Sequence, residues 1–571
     1  MMNIRVLTTL AVPAALIASA LATPAEATFK PIGTFETGIF DDSAAEIGAY
    51  DPLTQRLFVT NSANNTIDIL DINDPTNPFR SSSIDLSGLG GGINSVAFND
   101  GLLAAAIEAE DTQAPGSVAF FDTDGLFQTA FEVGALPDML TFTPDGTKVL
   151  VANEGEPNDD YTIDPEGSVS IIDISGGLDN GSVSTAGFGA FSADELTAAG
   201  VRIFGPGATA AQDLEPEFIT VSPDSTQAFV ALQENNALGI LDIDAGVFTD
   251  VISLGFKDHN DPDNALDPSD EDDAINIQTV PTLGAYQPDA IAAYEVDGVT
   301  YVVTANEGDA RDYDGFSEES NLEDLFEEGL LDLDNDGEPD TLDTIEPKTG
   351  ETLEALLDEN RLGDLDLTSA TGDIDGDGLI EELVSFGGRS FSIYNTATGE
   401  QVFDSGNDFE QILVDLIEAG ELPLAAFNTT NDENEFDARS DAKGPEPEAI
   451  ELGVVGDRVL AFIGLERVSG ILIYDVTDPI APSFVEFTDN RDYEVDFDED
   501  NFQLAGDLGP EDITFISRDE SPNKRNLIVV TNEVSGTTTV YADVPEPGMV
   551  AGLLVMGSLS FLGLKRKRAQ R

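Results

Sequence analysis

The chain contains no cysteine, and its only histidine is His259. Without cysteine it can form neither a disulfide framework nor a thiolate metal site, and it has no thiol nucleophile. A single imidazole excludes chemistry that needs two, which includes most catalytic zinc sites. Oxygen ligands are what remains for binding a metal.

Basic residues are also scarce, because 24 Lys and Arg stand against 111 Asp and Glu, for a formal net charge of −87. Removal of the two chain ends, which both have the features of sorting signals, would take away six basic and two acidic residues and leave about −91. Such a charge repels nucleic acid and anionic lipid headgroups, and it destabilises the fold unless cations screen it. The composition therefore excludes nucleic acid as a partner and indicates divalent cations.

The amino-terminal end has the three parts of a secretory signal. Arg5 precedes an apolar run over residues 6–22, and Ala25-Glu26-Ala27 supplies small residues at the positions that signal peptidase accepts. We therefore predict a signal peptide over residues 1–27 and a mature chain that begins at Thr28.

The carboxyl-terminal end, residues 544–571, combines Val544-Pro545-Glu546-Pro547, an apolar run over 549–564 and a basic cluster at 565–568. As a helix the run would be roughly 24 Å long, short for a bilayer core of about 30 Å. The order of these parts resembles the PEP-CTERM sorting signal of Gram-negative bacteria. That resemblance implies a short transmembrane helix and cleavage by an exosortase-type sorting enzyme near Pro545, after which the protein is surface-attached or released. An ordinary membrane anchor is the alternative.

Seven repeat units fill most of the chain between these ends. They cover residues 46–61, 94–108, 137–154, 216–234, 288–307, 447–466 and 510–533. Each consists of a strand, a tight turn such as Pro144-Asp145-Gly146 and a second strand rich in β-branched residues, and a third strand usually follows. The pattern predicts an all-β fold, a seven-bladed β-propeller with acidic loop insertions, over residues 28–543. An open solenoid is the alternative, although it would need capping repeats.

Two features interrupt the regular repeat. A lone strand over residues 29–40 could complete the last unit and close the ring. Two insertions, at about 257–278 and 311–371, are acidic, rich in Gly and Pro and poor in aromatic residues, which predicts loops or small metal-ordered subdomains on the rim. The segment 391–394 after the second insertion reads as the delayed third strand of the fifth unit.

Alignment of the repeat units places acidic residues at two recurrent positions. The first strand begins with Glu46, Asp138, Glu217, Asp289, Glu448 and Glu511, with Asn94 in the remaining unit. The second strand ends with Glu108, Glu154, Glu234, Glu307, Glu466 and Glu533, with Ser62 as the exception. Because the start of one strand adjoins the end of its antiparallel neighbour, both sets should lie on one face, near the channel mouth.

Carboxylates this close together need cations, basic partners or raised pKa values. We therefore take Glu154, Glu307, Glu448 and Glu466 as candidate metal ligands. The alternative is that the acids only bind neighbouring loop groups and tie one unit to the next. Basic residues near this face are Arg311, Arg389, Arg439, Lys443 and Arg467. They either bind an anion such as phosphate or neutralise the acids, and the second interpretation is favoured.

Two acidic loops have the spacing of calcium ligands. The first places Asp332, Asp334, Asp336 and Asp340 at ligand positions around a glycine turn, with Asp343 where an EF-hand has its last ligand. The second repeats the core with Asp373, Asp375 and Asp377, but Val384 occupies the last position, so Glu381 or Glu382 would have to contribute. The spacing predicts Ca²⁺ in both loops.

The sequence around His259 predicts a surface loop residue.

Several short sequence segments resemble those of the choice-of-anchor I family, and the resemblance extends over most of residues 30–541. They are Ala305-Asn306-Glu307-Gly308-Asp309, Gln287-Pro288-Asp289-Ala290, Phe386-Gly387-Gly388-Arg389 and Gly444-Pro445-Glu446-Pro447-Glu448. The resemblance implies an exported, propeller-like protein with a variable anchoring tail. Some members carry labels such as alkaline phosphatase or mesenchyme-specific cell surface glycoprotein, but no catalytic residues come with those labels.

Two functions follow as hypotheses. The favoured one is a surface-anchored, calcium-binding protein that acts in adhesion or in the extracellular matrix, by binding extracellular polysaccharide or another surface protein. The other is a calcium-dependent phosphoesterase acting on a phosphorylated small molecule. Its candidate catalytic residues are Arg311, Arg389, Arg439, Glu307 and Asp309.

Overall fold

The computed structural model describes residues 28–544, and residues Phe29–Asp543 form one compact unit. The predicted signal peptide and nearly all of the predicted sorting tail lie outside the described residues. Within 28–544, no helix is both long enough and apolar enough to cross a membrane. Strands far outnumber helices in the described residues, which confirms the all-β class.

Strands of three to nine residues, joined by turns and loops, follow one another through the first half of the chain. It begins with β1 (Thr28–Glu36), followed by sheet 1, which contains β2 (Gly48–Asp51), β3 (Arg56–Asn61), β4 (Thr66–Asp71) and β5 (Phe79–Asp85). Sheet 2 contains β6 (Ile93–Asn99), β7 (Leu102–Ile107), β8 (Pro115–Asp122) and β9 (Phe127–Ala135). Sheet 3 contains β10 (Pro137–Phe142), β11 (Lys148–Asn153), β12 (Ser168–Asp173) and β13 (Ser182–Gly187). Sheet 4 contains β14 (Ile219–Val221), β15 (Gln227–Leu232), β16 (Ala237–Asp242) and β17 (Val247–Ser253).

The second half of the chain has longer connections between its strands. It starts with β18 (Phe256–Asp258) and β19 (Thr282–Ala285), which precede β20 (Ile291–Val296) and β21 (Val299–Asn306). There follow β22 (Asp312–Tyr313), β23 (Phe316–Ser317), β24 (Glu319–Asn321), β25 (Asp366–Thr368) and β26 (Leu383–Ser385). The rest are β27 (Ser390–Asn395), β28 (Glu400–Asp404), β29 (Pro447–Val455), β30 (Arg458–Leu465), β31 (Gly470–Asp475), β32 (Ser483–Asp489), β33 (Pro510–Ile516), β34 (Leu527–Asn532) and β35 (Thr537–Val544).

Helices in residues 28–544 are short and connect the strands. They are α1 (Ala193–Ala198), α2 (Ala210–Asp213), α3 (Leu322–Glu327), α4 (Leu353–Leu356) and α5 (Asp408–Ala419). Single 3-10 turns occur at Ser62–Asn64, Leu178–Asn180, Pro262–Asn264, Leu424–Ala426 and Phe502–Leu504.

Each of the seven repeat units forms a separate four-stranded sheet. Sheet 5 has the order β20-β21-β27-β28, sheet 6 is β29-β30-β31-β32, and sheet 7 is β33-β34-β35-β1. The delayed third strand of the fifth unit is confirmed, because β27 pairs antiparallel with β21 across the second insertion. The lone amino-terminal strand is also confirmed, because β1 is hydrogen-bonded to β35 as the outer strand of the last sheet.

The core is divided among the sheet interfaces. Apolar clusters of buried residues lie between sheets 1 and 2, 2 and 3, 3 and 4, 4 and 5, 5 and 6, and 6 and 7, and a further cluster joins sheet 7 to sheet 1. In the cluster between sheets 6 and 7, Phe29 of β1 is fully buried and packs edge-to-face on Phe462 with ring centroids 5.1 Å apart. Burial of one such ring contributes about 1.5–3 kcal/mol.

The first strands of all seven sheets surround one cavity of about 680 Å³. Its lining includes Ile47, Val96, Met139, Phe218, Ile291, Ile450 and Ile513. The residues that face each other across this cavity therefore come from every repeat unit of the chain.

The two insertions contribute to an ordered sheet. Parts of both combine with neighbouring residues into one five-stranded sheet, β18-β19-β26-β25-β24, in which β19 and β26 run parallel. Its strands β25 and β26 contribute Leu367 and Leu383 to a core built largely of leucines, which includes Leu322, Leu325, Leu353 and Leu356 from α3 and α4. Of the two predicted alternatives, loops or small subdomains, this sheet and its core favour the subdomain, because the leucines supply a hydrophobic core that the acidic composition obscured.

Two glycines bring the ends of the second insertion together. The backbones of Gly308 and Gly387 are so close that a Cβ on Gly308 would lie 2.3 Å from the Gly387 nitrogen, and a Cβ on Gly387 would lie 2.0 Å from the Glu307 oxygen. Both have positive φ, 100° and 74°. Glycine is required here on both counts, since side chains disfavour positive φ and would clash.

Candidate functional site

The acids at the strand ends lie next to one another as the repeat predicts. In sheet 3 the Glu154 amide donates to the Leu136 carbonyl at 3.0 Å, just before Asp138. In sheet 6 the Glu466 amide donates to the Glu446 carbonyl at 2.8 Å, just before Glu448. The end of a second strand is thus held against the start of the first strand of the same sheet.

Acids from different sheets also meet. Asp289, Glu307 and Glu448 each offer a carboxyl oxygen, and these three oxygens lie within 4.8 Å of one another. Glu307 forms a second such group with Glu446 and Glu466. We call the acids at the strand ends of the seven sheets, together with Glu446, the acid cluster. The residues that follow them along the first strands line the cavity described above.

Burial and mutual repulsion shift the titration of this cluster. Burial, with smaller contributions from the charges of Glu533 and Asp138, raises the pKa of Glu46 to about 7. Burial and the Glu156 charge raise the pKa of Asp138 to about 7, and burial and the Glu446 charge raise that of Glu466 to about 8. The pKa values of Glu154, Glu217, Asp289, Glu448 and Glu511 are raised well above their ordinary value for the same reasons.

Some acid oxygens in the cluster have no hydrogen-bond donor among residues 28–544. They are Glu217 Oε2, Glu234 Oε2 and Glu448 Oε2, all buried at the atom. Other members connect neighbouring sheets, as the structural alternative predicts. Ser62 Oγ lies 2.8 Å from the Ile93 carbonyl of sheet 2 and also contacts Glu46, and Asn94 donates to the Pro137 carbonyl of sheet 3 at 3.2 Å.

Glu446 was not singled out from the sequence, yet three basic residues converge on it. Its side chain is fully buried, Oε1 accepts from Arg439 Nη2 at 2.7 Å, and Oε2 lies 3.2 Å from Lys443 Nζ and 3.1 Å from Arg467 Nε. Although burial alone would raise it, the charges of Lys443, Arg439 and Arg467 lower the pKa of Glu446 to about 2. Lys443 also pairs with Glu307 at 2.7 Å. This geometry favours neutralisation of acids over binding of an external anion.

The other two candidate arginines are buried and paired. Arg311 donates from Nη1 to Asp213 Oδ1 at 2.6 Å, and its Nη2 lies 2.9 Å from Glu215 Oε2. Arg389 donates from Nη1 to Glu410 Oε1 at 2.9 Å and from Nη2 to two backbone carbonyls. Both guanidinium groups are 5% exposed or less, so their donors already face protein oxygens. Asp309 is exposed beside Glu307.

The first calcium-spaced loop brings three of its five predicted residues together. Asp332, Asp334 and Asp336 place oxygens within 4.8 Å of one another. The Asp332 carboxylate already accepts the amides of Asp336 at 2.9 Å and Gly337 at 2.8 Å. Asp340 and Asp343 are not members of this group, and Asp343 is exposed.

The second loop assembles a fuller set. Asp373, Asp375, Asp377 and Glu381 all place an oxygen within 4.8 Å of one another, and Glu381 thus takes the role that Val384 cannot fill. Glu381 Oε2 accepts the Ile374 amide at 2.7 Å, while its buried Oε1 has no donor among the residues described. Burial and the charges of the three aspartates raise the pKa of Glu381. Four oxygens with an unpartnered buried atom suit a hard cation such as Ca²⁺.

His259 is buried, and the prediction of a surface loop residue was wrong. Its side chain is only 1% exposed. His259 directly follows β18, its amide donates to the Thr282 carbonyl of β19 at 3.1 Å, and Nδ1 lies 2.7 Å from the Asn264 carbonyl. Burial and the Lys257 charge lower the pKa of His259 to about 3, so the ring is neutral at physiological pH.

The fold and this site together define an all-β repeat protein with an acid-rich face. The choice-of-anchor I domain matches residues 46–479, and the chain belongs to that family. It is 30% identical over 186 residues to Gigasin-3a of Magallana gigas; the match covers 32% of this chain and 64% of that protein, so the chain spans less than two thirds of the length of this relative.

Two solved structures show distant likeness to the chain. Hydrazine synthase of Kuenenia stuttgartiensis has a TM-score of 0.43 at 13% identity, over 89% of this chain and 98% of that one. The β-propeller domain of Cps50 (Swd1) from Myceliophteria thermophila has a TM-score of 0.40 at 8% identity, over 90% of this chain and 100% of that one.

Proposed function

We propose that this protein is an exported, surface-anchored seven-bladed β-propeller that binds calcium and acts in adhesion or in the extracellular matrix, through extracellular polysaccharide or another surface protein. The observation that carries the calcium assignment is the group formed by Asp373, Asp375, Asp377 and Glu381, with one buried carboxyl oxygen left without a donor in the described residues. Membership of the choice-of-anchor I family supports export and anchoring.

A closed ring of seven blades is supported by two observations. The first strands of all seven sheets line one cavity, and an apolar cluster joins sheet 7 to sheet 1 as well as every consecutive pair. An open solenoid would leave its first and last sheets apart.

Ring closure can be tested with a disulfide, since the natural chain has no cysteine to interfere. The Oγ1 atoms of Thr34 on β1 and Thr539 on β35 are 2.9 Å apart, which is compatible with a bridge between cysteines at these positions. Thr34→Cys with Thr539→Cys should form an intramolecular bridge and raise Tm, whereas Thr34→Cys alone should not. Failure of the pair to oxidise would count against closure by β1.

Calcium binding can be tested at the loop that carries it. Removing a ligand with Glu381→Gln should weaken calcium binding at this loop by roughly 10- to 100-fold, the cost known even for residues that only support metal ligands. Asp179→Asn is the matched control, because Asp179 is exposed and lies in neither calcium-spaced loop. Isothermal titration that shows equal affinity in both variants would refute the site.

The proposed binding role requires a test with surface material from the host. Purified protein should be retained by the surface polysaccharide or the envelope proteins of its own host in calcium and released by chelator. In the same preparation, hydrolysis of a generic phosphomonoester should not exceed background. Calcium-dependent turnover that Arg389→Ala abolishes would instead support the phosphoesterase hypothesis, although Arg389 also contacts Glu410 and the fold of that variant would need checking.

The predicted sorting signal falls on residues outside those described, so its support is the order of its sequence elements alone. Mass spectrometry of the protein recovered from its host should show a chain that begins at Thr28 and ends near Pro545. Recovery of an intact tail through Arg571 would indicate a retained membrane anchor.

A further inference from the structure

A second group of buried polar residues shares no member with the acid cluster or with the calcium-spaced loops. It consists of Asp267, Arg389, Glu410, Asn428, Asp437 and Ser440, none more than 5% exposed, and we call it the buried network. Asp267 belongs to the first insertion, Glu410 to the first turn of α5, and the segment 428–440 follows that helix. The network thus joins an insertion to the sheet scaffold.

Glu410 is the centre of the buried network. Its Oε2 accepts the Asp267 amide at 3.0 Å, and its Oε1 accepts from Asn428 Nδ2 at 3.1 Å and from Arg389 Nη1 at 2.9 Å. Asn428 Nδ2 also donates to Ser440 Oγ at 2.8 Å, which in turn donates to Asp437 Oδ1 at 2.5 Å. Asp267, Asn428 and Asp437 are therefore neighbours, although they span 170 residues of the chain.

Each of these three residues has one oxygen without a partner. Asp267 Oδ1, Asn428 Oδ1 and Asp437 Oδ2 are buried at the atom and have no donor in the described range 28–544, and all three residues are 0% exposed. The nearby guanidinium cannot supply one, because Arg389 donates to Glu410 and to the backbone carbonyls of Asp267, Ser440 and Ala442. An unpaired buried carboxylate oxygen is unfavourable, so the site lacks a positive partner.

The charge balance identifies the kind of partner. Asp267, Asp437 and Glu410 carry three negative charges when ionised and Arg389 carries one positive charge, which leaves a deficit that one divalent cation would neutralise. Two carboxylates and an amide carbonyl are oxygen ligands of the kind that Ca²⁺ takes.

We infer that Asp267, Asn428 and Asp437 bind one buried calcium ion, which fastens the first insertion to the segment after α5. The ion completes the coordination of all three unpartnered oxygens and makes the buried network electrically neutral. This site shares no residue with the loop Asp373–Glu381, so either site can exist without the other.

The first experiment counts bound metal. Full-length protein is stripped with chelator, dialysed against calcium and measured by elemental analysis. Asp437→Asn should bind one calcium fewer than the natural sequence. Asp507→Asn should bind the same number, because Asp507 is equally buried but its Oδ1 accepts from Thr537 and Thr539 at 2.9 Å. An unchanged count in Asp437→Asn would overturn the inference.

The second experiment distinguishes this site from the one proposed at loop 373–381, and it needs no substitution in the buried network. In the Glu381→Gln background, calcium at about 100 times Kd should slow hydrogen exchange of residues 266–278 and 427–440 by roughly 100-fold. Unchanged exchange there would overturn the inference even if Asp437→Asn did not fold. If Asp437→Asn lost a calcium ion and Glu381→Gln did not, the proposed site at loop 373–381 would be refuted and the site in the buried network would be supported.

Discussion

The carboxyl oxygens of Asp289 and Glu448 lie within 4.8 Å of each other, although the residues are 159 positions apart and stand at the starts of the first strands of two adjacent sheets. Repulsion at this distance disfavours ionisation of both groups, and the pKa of each is raised well above its ordinary value, chiefly by burial. The stability of the acid cluster is therefore linked to pH and to cations.

We predict that the protein without cations becomes less stable as pH rises. Glu46 and Glu466 have folded pKa values of about 7 and about 8, above the roughly 4.3 of an unfolded Glu, so between these limits the folded state binds more protons. Their stabilising contribution is fully present below about pH 4 and is lost as pH rises through 7 and 8.

Thermal unfolding in chelator at pH 5 and pH 8 measures this effect, with a higher Tm expected at pH 5. Calcium should reduce the difference between the two values. A Tm in chelator that increases from pH 5 to pH 8 would mean that the acids are ionised and stabilised by basic partners instead.

Loss of the Glu446 charge should destabilise the fold. Glu446→Gln removes the shared partner of Arg439, Lys443 and Arg467, and breaking a buried ion pair typically costs 3–5 kcal/mol. We expect about 3 kcal/mol, because the three basic side chains keep some solvent contact. Urea unfolding measures the change, and Glu400→Gln, an exposed carboxylate on β28, serves as the neutral control.

The Arg311 interaction should be structural. Arg311→Ala leaves Asp213 and Glu215 buried without their partner, which should lower the free energy of unfolding by about 3–5 kcal/mol. The exposed control Arg518→Ala should stay within about 0.5 kcal/mol of the natural sequence. If Arg311 instead held a phosphate, adding phosphate would raise the Tm of the natural protein and not that of Arg311→Ala.

Loss of the Phe29 side chain should strongly destabilise the fold, although the residue lies at one end of the compact unit. Phe29→Ala removes a fully buried ring between sheets 6 and 7, for an expected loss of about 3–5 kcal/mol. Phe79→Ala, on the half-exposed edge of sheet 1, should cost much less. Equal midpoints of urea unfolding for the two variants would show that β1 is not firmly docked.

The repeat made much of the fold and of the acid cluster predictable. Because each unit repeats the same strand, turn and strand, aligning the units fixes the register, and the register places Glu154 and Glu466 beside the first strand of the same sheet. The same reasoning located the third strand of sheet 5 and the role of the lone strand β1.

The sequence could not reveal features that depend on contacts between distant segments of the chain. Glu446 stands one residue before a repeat unit and looks like any acid there, but Arg439, Lys443 and Arg467 surround it only in the folded chain. His259 has an acidic, turn-rich sequence around it, and its burial depends on a sheet whose strands come from three separate segments. The spacing Leu322-Leu325 was a usable signal for a packed helix, but acidic neighbours obscured it.

The pairing of β1 with β35 joins the two ends of the compact unit in one sheet. Thr34 and Thr539 are 505 residues apart, so sheet 7 can form only after its carboxyl-terminal strands have joined the rest of the chain. Sheets 1 to 6 contain no strand from the two ends of the compact unit and can form earlier, from more local contacts. We expect the docking of β1 on β35 to be a late step of folding, so β1 should stay accessible to proteases until the carboxyl-terminal strands are in place.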